Sequence, residues 1–247
     1  MKLLVISDEK DPALWDYYMP GRLDGVDAII SCGDLSPEYL SFLVTMGSVP
    51  LFYVHGNHDV IYERRPPEGC DCIDGQVVTF RGYRILGLGG CMRYNRNACQ
   101  YTEREMRWRI ARLRPALARQ GGVDLLITHA PARGLGDMDD PCHRGCECFR
   151  ELLDRYHPLY HCHGHVHLQY VPTRPRSRQY GETTIVIASG KYILELPDRA
   201  EVAALNRYVR HSSIQKLDIY IPSMPHFLML FFTFSIVTSV TSFPTDI

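Results

Sequence analysis

Asp8, Asp34, Asn57, His58, Asp59, His129, His165 and His167 are the side chains of this sequence whose types and spacing suit joint chemistry. Most sit in short motifs: Gly33-Asp34, Gly56-Asn57-His58-Asp59 and Gly164-His165-Val166-His167. Carboxylate, amide oxygen and imidazole form the ligand set of borderline divalent ions such as manganese, iron and zinc. Two such ions about 3.5–4 Å apart can clamp a phosphoryl group and polarise a water into a nucleophile. Residues 161–167, HCHGHVH, add four histidines at every second position. In an extended segment alternate side chains share a face. The four imidazoles therefore either converge on one spot or form a polar edge.

The elements that must position these residues are legible as apolar runs. Residues 2–7, 27–34, 50–59 and 123–131 are almost wholly apolar, too short for helices, and end in polar or glycine residues. That is the pattern of strands buried on both faces. Ligands in layered α/β folds collect at the carboxyl ends of strands, which is where Asp8, Asp34, Asn57 with His58, and His129 fall. Residues 77–80 and 83–90 predict a hairpin about Arg81 and Gly82. Residues 102–119 predict a helix with a Thr102/Glu105 capping box and an apolar face of Met106, Ile110, Leu113 and Leu117. Its arginines (104, 107, 109, 112, 114 and 119) read as a solvated face or as a contact surface for an anionic substrate. Residues 148–156 predict a short helix, 173–181 a basic loop, and 183–196 two further strands. No internal repeat is visible.

Each of these motifs alone is weak, since a lone Asp after a strand is commonly a cap and a lone His a core residue. Together, GD, GNHD and GHVH in this order, with Asp8 and His129, resemble the calcineurin-like metallophosphoesterase superfamily in its small bacterial-type form, over about residues 2–196. The resemblance implies a four-layer α/β/β/α sandwich of two mixed sheets flanked by helices. It also implies a metal-dependent phosphoesterase, either phosphatase or phosphodiesterase, that uses a metal-bound hydroxide on a small-molecule phosphate ester. Carried over by motif, Asp34, Asn57, His129 and His165 surround one ion, and Asp8, Asp34 and His167 the other. His58 takes the place of the catalytic histidine, with Asp59 orienting it, and a carboxylate near an imidazole suits general-acid work. His161 and His163 then become packing or supporting residues.

The family's first motif is normally D-x-H, whereas this chain reads Asp8-Glu9-Lys10. A lysine ammonium has donors only, which leaves three readings. Glu9 or water completes the first site, Lys10 substitutes its charge for one ion, or Lys10 swings into solvent. The number of divalent ions (manganese, iron or zinc) is accordingly one or two per chain. After His129, Asp137 and His143 match a family-like pattern and read as supporting or substrate-side groups. Arg93 and Tyr94 follow another strand end, where an arginine suits either a phosphate oxygen or a surface ion pair.

The composition narrows the classes. A chain of 247 residues with 45% hydrophobic and 22% charged residues is globular, with one or two domains. A net charge of −1 argues against general nucleic-acid binding and hence against a nuclease. The nine cysteines include no CxxC pair, and the opening apolar run is too short for a secretory signal, so reduced thiols in a cytoplasmic protein are expected. Cys142, His143, Cys146 and Cys148 form a cluster whose C-x3-C-x-C spacing matches no common zinc site. Residues 1–197 are expected to form the phosphoesterase domain and 198–247 a C-terminal extension. Within the extension, residues 227–243 are apolar or hydroxylated throughout. They suit a membrane tail anchor, a buried strand pair or a stretch foreign to the domain. The alternative to an enzyme is a scaffold of the same fold for protein–protein interaction. Such scaffolds tend to lose the catalytic histidine and the asparagine ligand, and both stand here.

Overall fold

The apolar runs become strands because both of their faces are covered, one by a second sheet and one by helices. The structure is a computed structural model that describes residues 1–170, 173, 175–197 and 199. The extension expected over 198–247 lies, apart from Arg199, outside the described residues, and with it the hydrophobic stretch 227–243. Among the described residues no helix is long and apolar enough to cross a membrane.

In chain order the elements are β1 (Lys2–Ser7), β2 (Ala28–Ser31), α1 (Pro37–Gly47), β3 (Leu51–Tyr53), β4 (Asp71–Cys72), β5 (Gln76–Phe80), β6 (Tyr83–Leu88), β7 (Cys91–Met92) and β8 (Gln100–Tyr101). They continue with α2 (Glu103–Gln120), β9 (Leu125–Thr128), α3 (Glu147–Tyr156), β10 (Tyr160–His163), β11 (Ser177–Tyr180), β12 (Thr183–Ile187) and β13 (Gly190–Glu195). One sheet has the order β13-β1-β2-β3-β4, a second β11-β12-β10-β9-β6-β5, and β7 and β8 pair as a small two-stranded sheet. In the first, β1 runs parallel to β2 and antiparallel to β13. In the second, β6, β9, β10 and β12 are parallel, with β5 and β11 antiparallel at the edges.

Period-2 alternation sorts the side chains of the central strands between two cores. Leu3, Val5 and Ile30 of the first sheet meet Ile85, Leu125, Ile127 and Val186 of the second. Their neighbours Leu4, Ile6 and Ile29 face outward onto Tyr39, Leu40 and Leu43 of α1. On the far side, Leu86, Leu126 and Ile185 pack under Met106, Leu113 and Leu117 of α2 and Phe149, Leu152 and Leu153 of α3. The result is the four-layer α/β/β/α sandwich that the family resemblance implies.

The expected hairpin forms about Arg81 (φ 46°) and Gly82 (φ 81°). Both residues have positive φ, the turn geometry that matches strand twist. The expected capping box on α2 is also present, with the Thr102 side chain accepting from Glu105 and the Glu105 carboxylate from Thr102. The basic stretch 173–181 departs from its reading as a loop, because residues 177–180 pair with β12 as an edge strand. Pairing with a formed neighbour outweighs the weak strand propensity of Ser, Arg and Gln.

The register levels the strand ends. Ser31 lies opposite Tyr53, Ile6 opposite Ser31, and Thr128 opposite His163. Within each sheet, the loops that carry the polar motifs therefore leave neighbouring strands at matching heights.

Candidate metal centre

Three of these loops meet through their motif residues. Asp8 and Asp34 both adopt left-handed backbone, at φ 64° and 57°, a conformation that Asp tolerates better than most residues. The glycines beside them are required by close approach. A Cβ on Gly56 would stand 2.0 Å from Asp34 Oδ1, and one on Gly164 would stand 1.9 Å from Ser7 Oγ. The glycines of GNHD and GHVH thus let the loops touch.

His129 is fully buried and is the hub of the centre. Its Nδ1 donates to the Cys32 carbonyl at 2.8 Å, and its Nε2 faces Asn57 Oδ1 at 2.9 Å and Asp34 Oδ2 at 3.3 Å. Burial of the ring opposes its charge, but Asp34, aided by Asp8, lifts its pKa to about 9. Burial likewise works against the Asp34 carboxylate, yet the His129 charge and hydrogen bonds from His129 and the His58 amide hold it well below the usual range. His165 joins at the rim of the hub, its ring centroid 4.9 Å from that of His129. Its Nε2 donates to the Cys142 carbonyl at 2.8 Å, which leaves Nδ1 with the lone pair. Burial, with the nearby His129 charge, drops its pKa to about 3, so the ring is neutral.

The donor set fits a divalent cation. Asp34, His129 and His165 each offer a ligand atom, all within 4.8 Å of one another. Around His129 Nε2, a carboxylate oxygen and an amide oxygen both present lone pairs. Such acceptors repel unless a proton or a cation lies among them. His129 supplies that proton here, and a borderline metal ion matches the same imidazole, amide and carboxylate donors.

The remaining predicted ligands lie beside this group. The Asp8 carboxylate accepts the His165 amide, at 3.0 and 3.1 Å, and burial pushes its pKa up. His167 Nδ1 pairs with Glu9 Oε1 at 2.9 Å. Lys10 turns away, its ammonium 4.9 Å from the Trp15 ring centroid, so Glu9 rather than Lys10 adjoins His167. Of the four alternating histidines, only His161 and His163 belong to the strand. His165 follows Gly164 in a left-handed turn, at φ 66°, which ends the shared face. His161 is buried against Thr128, 2.8 Å from its hydroxyl.

His58 is exposed, and its amide donates to Asp34 Oδ1 at 2.8 Å. Asp59 points inward and is buried. Its Oδ2 accepts from the amides of Asp34 and Gly56, at 2.7 Å each, so it ties two motif loops together. Burial and the Asp34 charge raise its pKa to about 6. The orienting contact with the His58 ring that the resemblance implies is not among its described hydrogen bonds.

The structure also places several other side chains that the sequence singles out. Arg93 pairs with Glu105 at 2.9 Å, the surface ion pair of its two readings. Asp137 organises its own loop by accepting from Arg133 and from the amides of Gly134 and Gly145. The cysteine cluster divides, with Cys146 and Cys148 in the α2/α3 core while Cys142 stands beside Asp140 and His143.

A network behind the GNHD loop has no sequence signal at all. Asp74 receives a two-pronged bond from Arg109, at 2.6 and 2.7 Å, and lies 3.2 Å from His55 Nε2. Arg109 therefore departs from the solvated face expected of the helix arginines; it and Asp74 are only 15% and 17% exposed. Burial opposes a charged His55 ring, but Asp74 and Cys99 lift its pKa to about 11. Asp74→Ala should leave two half-buried cations without their anion, at a cost of about 1–3 kcal/mol, below that of a fully buried pair. Urea denaturation at neutral pH measures that loss, and unchanged stability would show that the pair contributes nothing net.

No curated protein matches the chain. Solved structures share its fold. One crystal structure aligns at a TM-score of 0.59 and 16% identity, covering 78% of this chain and 94% of its own. TT1561 of Thermus thermophilus aligns at 0.55 and 16%, covering 76% of this chain and 89% of its own. The model of the calcineurin-like phosphoesterases matches residues 1–169, the span that contains every motif assembled above, and by that match the chain belongs to this family of metal-dependent phosphoesterases.

Proposed function

We propose that this chain hydrolyses a small-molecule phosphomonoester or phosphodiester by direct attack of water on phosphorus. The observation that carries the reading is the convergence of Asp34 Oδ2, Asn57 Oδ1 and His129 Nε2 at the strand ends, with His58 beside them. Asp34, Asn57, His129 and His165 would hold one divalent ion. Asp8, Asp34 and His167, with Glu9 alongside, would hold a second. Manganese, iron and zinc suit this donor set. Such ions supply Lewis acidity, polarising phosphoryl oxygens and lowering the pKa of a nearby water.

The protein's own groups do the rest. The Asp34 carboxylate, kept ionised, supplies negative charge shared by both positions. The neutral His165 ring keeps a lone pair available because its other nitrogen is committed to the Cys142 carbonyl. His58, exposed at the mouth, donates a proton to the departing ester oxygen as the P–O bond breaks and the new P–O bond to water forms. Asp59 positions the loops on which Asp34 and His58 sit.

The test is turnover of p-nitrophenyl phosphate and bis(p-nitrophenyl) phosphate by the full chain in the presence of manganese. Nitrophenolate release should stop after chelation and return on readdition of the metal. No turnover of either ester above background with manganese, iron or zinc would overturn the proposal.

A further inference from the structure

Asn57 presents two chemically opposite ends, and only its carbonyl oxygen has a lone pair to give an ion. A half-turn about the terminal torsion would aim the NH2 group, a pair of donors, at the same place. Something must tell the two ends apart. In the structure Oδ1 is held by His129 Nε2 at 2.9 Å, while Nδ2 donates to the Tyr94 hydroxyl at 3.3 Å. Once the His129 lone pair goes to an ion, that ring no longer holds Oδ1. The Tyr94 bond is then the described contact that distinguishes the ends.

Tyr94 is equipped for the task. In the contact with Asn57 the phenol oxygen is the acceptor, because an amide NH2 group has only donors to offer. Its own backbone is fixed as well. The buried Gln100 side chain accepts from the amides of Tyr94 and Asn95, each at 3.2 Å, and clamps the loop between β7 and β8.

Resting on the reading of Asn57 as a metal ligand, we propose that Tyr94 is a positioning residue that fixes the Asn57 amide with its oxygen toward the ion. Groups that orient a ligand from behind typically account for 10–100-fold in metal affinity. Tyr94→Phe keeps the ring and removes only the hydroxyl, so the metal-free protein should melt close to the wild-type temperature. Its affinity for manganese, read from the free-ion EPR signal during titration, should fall about tenfold.

The decisive comparison uses Asn57→Asp. A carboxylate has two equivalent oxygens and no wrong end, so adding Tyr94→Phe to that background should change manganese affinity less than about twofold, against tenfold in the asparagine background. An equal loss in both backgrounds would overturn the orienting role and leave a merely structural one. Wild-type affinity in Tyr94→Phe would overturn the proposal directly. Wild-type affinity in Asn57→Ala would remove Asn57 from the centre, a failure of the underlying reading that is distinguishable from failure of Tyr94 alone.

Discussion

Asp34→Asn should leave the fold standing and remove the metal. The substituted residue tolerates the left-handed backbone at this position, since Asn adopts positive φ as readily as Asp. Its carbonyl can still accept the His58 amide that Asp34 Oδ1 accepts at 2.8 Å. The unit of charge facing His129 Nε2 is lost, and both proposed ion positions depend on it. Elemental analysis after saturation with manganese should give one or two ions per chain for the wild type and none for the variant. Two in the wild type would mean that the position flanked by Asp8 and His167 fills without a first-motif histidine. One would mean a mononuclear centre at Asp34, Asn57, His129 and His165. Turnover in the variant should drop by at least about 1,000-fold, equivalent to roughly 4 kcal/mol of barrier. Unchanged metal content in a folded Asp34→Asn protein would remove Asp34 from the centre.

The centre was legible in sequence to the extent that strand ends mark it. Short apolar runs bounded by polar residues locate β1, β2, β3 and β9, and the motif residues follow within a few positions. The motif glycines were legible as residues but not as causes. That Gly56 has no room for a Cβ against Asp34 emerges only when two loops from different strands meet. Side-chain direction was not legible. Asp59 follows His58 immediately, yet one turns to the backbone of the Asp34 loop and the other to solvent, because the chain enters a short 3-10 helix at Asp59. Alternation predicted a common face for the histidines of HCHGHVH, and a single left-handed residue after Gly164 ended it. The contacts of Asp74 with Arg109 and of Asn57 with Tyr94 span 35 and 37 residues. No local pattern encodes which residues meet over such separations.

His58→Ala separates proton donation from metal binding. The contact that His58 makes with Asp34 comes from its backbone amide, which alanine retains, so metal content should equal that of the wild type. The side chain is exposed, so its removal should cost little stability. General-acid catalysis contributes typically 10²–10⁴-fold, and a loss of about 100–1,000-fold in kcat is expected on an ester whose leaving alkoxide needs a proton. An ester of p-nitrophenol leaves as a stabilised phenolate and draws less on a donor. For that substrate the loss should shrink by about tenfold or more relative to an alkyl ester. A dependence on leaving group, at constant metal content, assigns the proton to His58. An equal loss for both esters would instead place the imidazole on the phosphoryl oxygens, where its charge would help whatever leaves. Equal activity of mutant and wild type on the alkyl ester would take His58 out of the chemistry altogether.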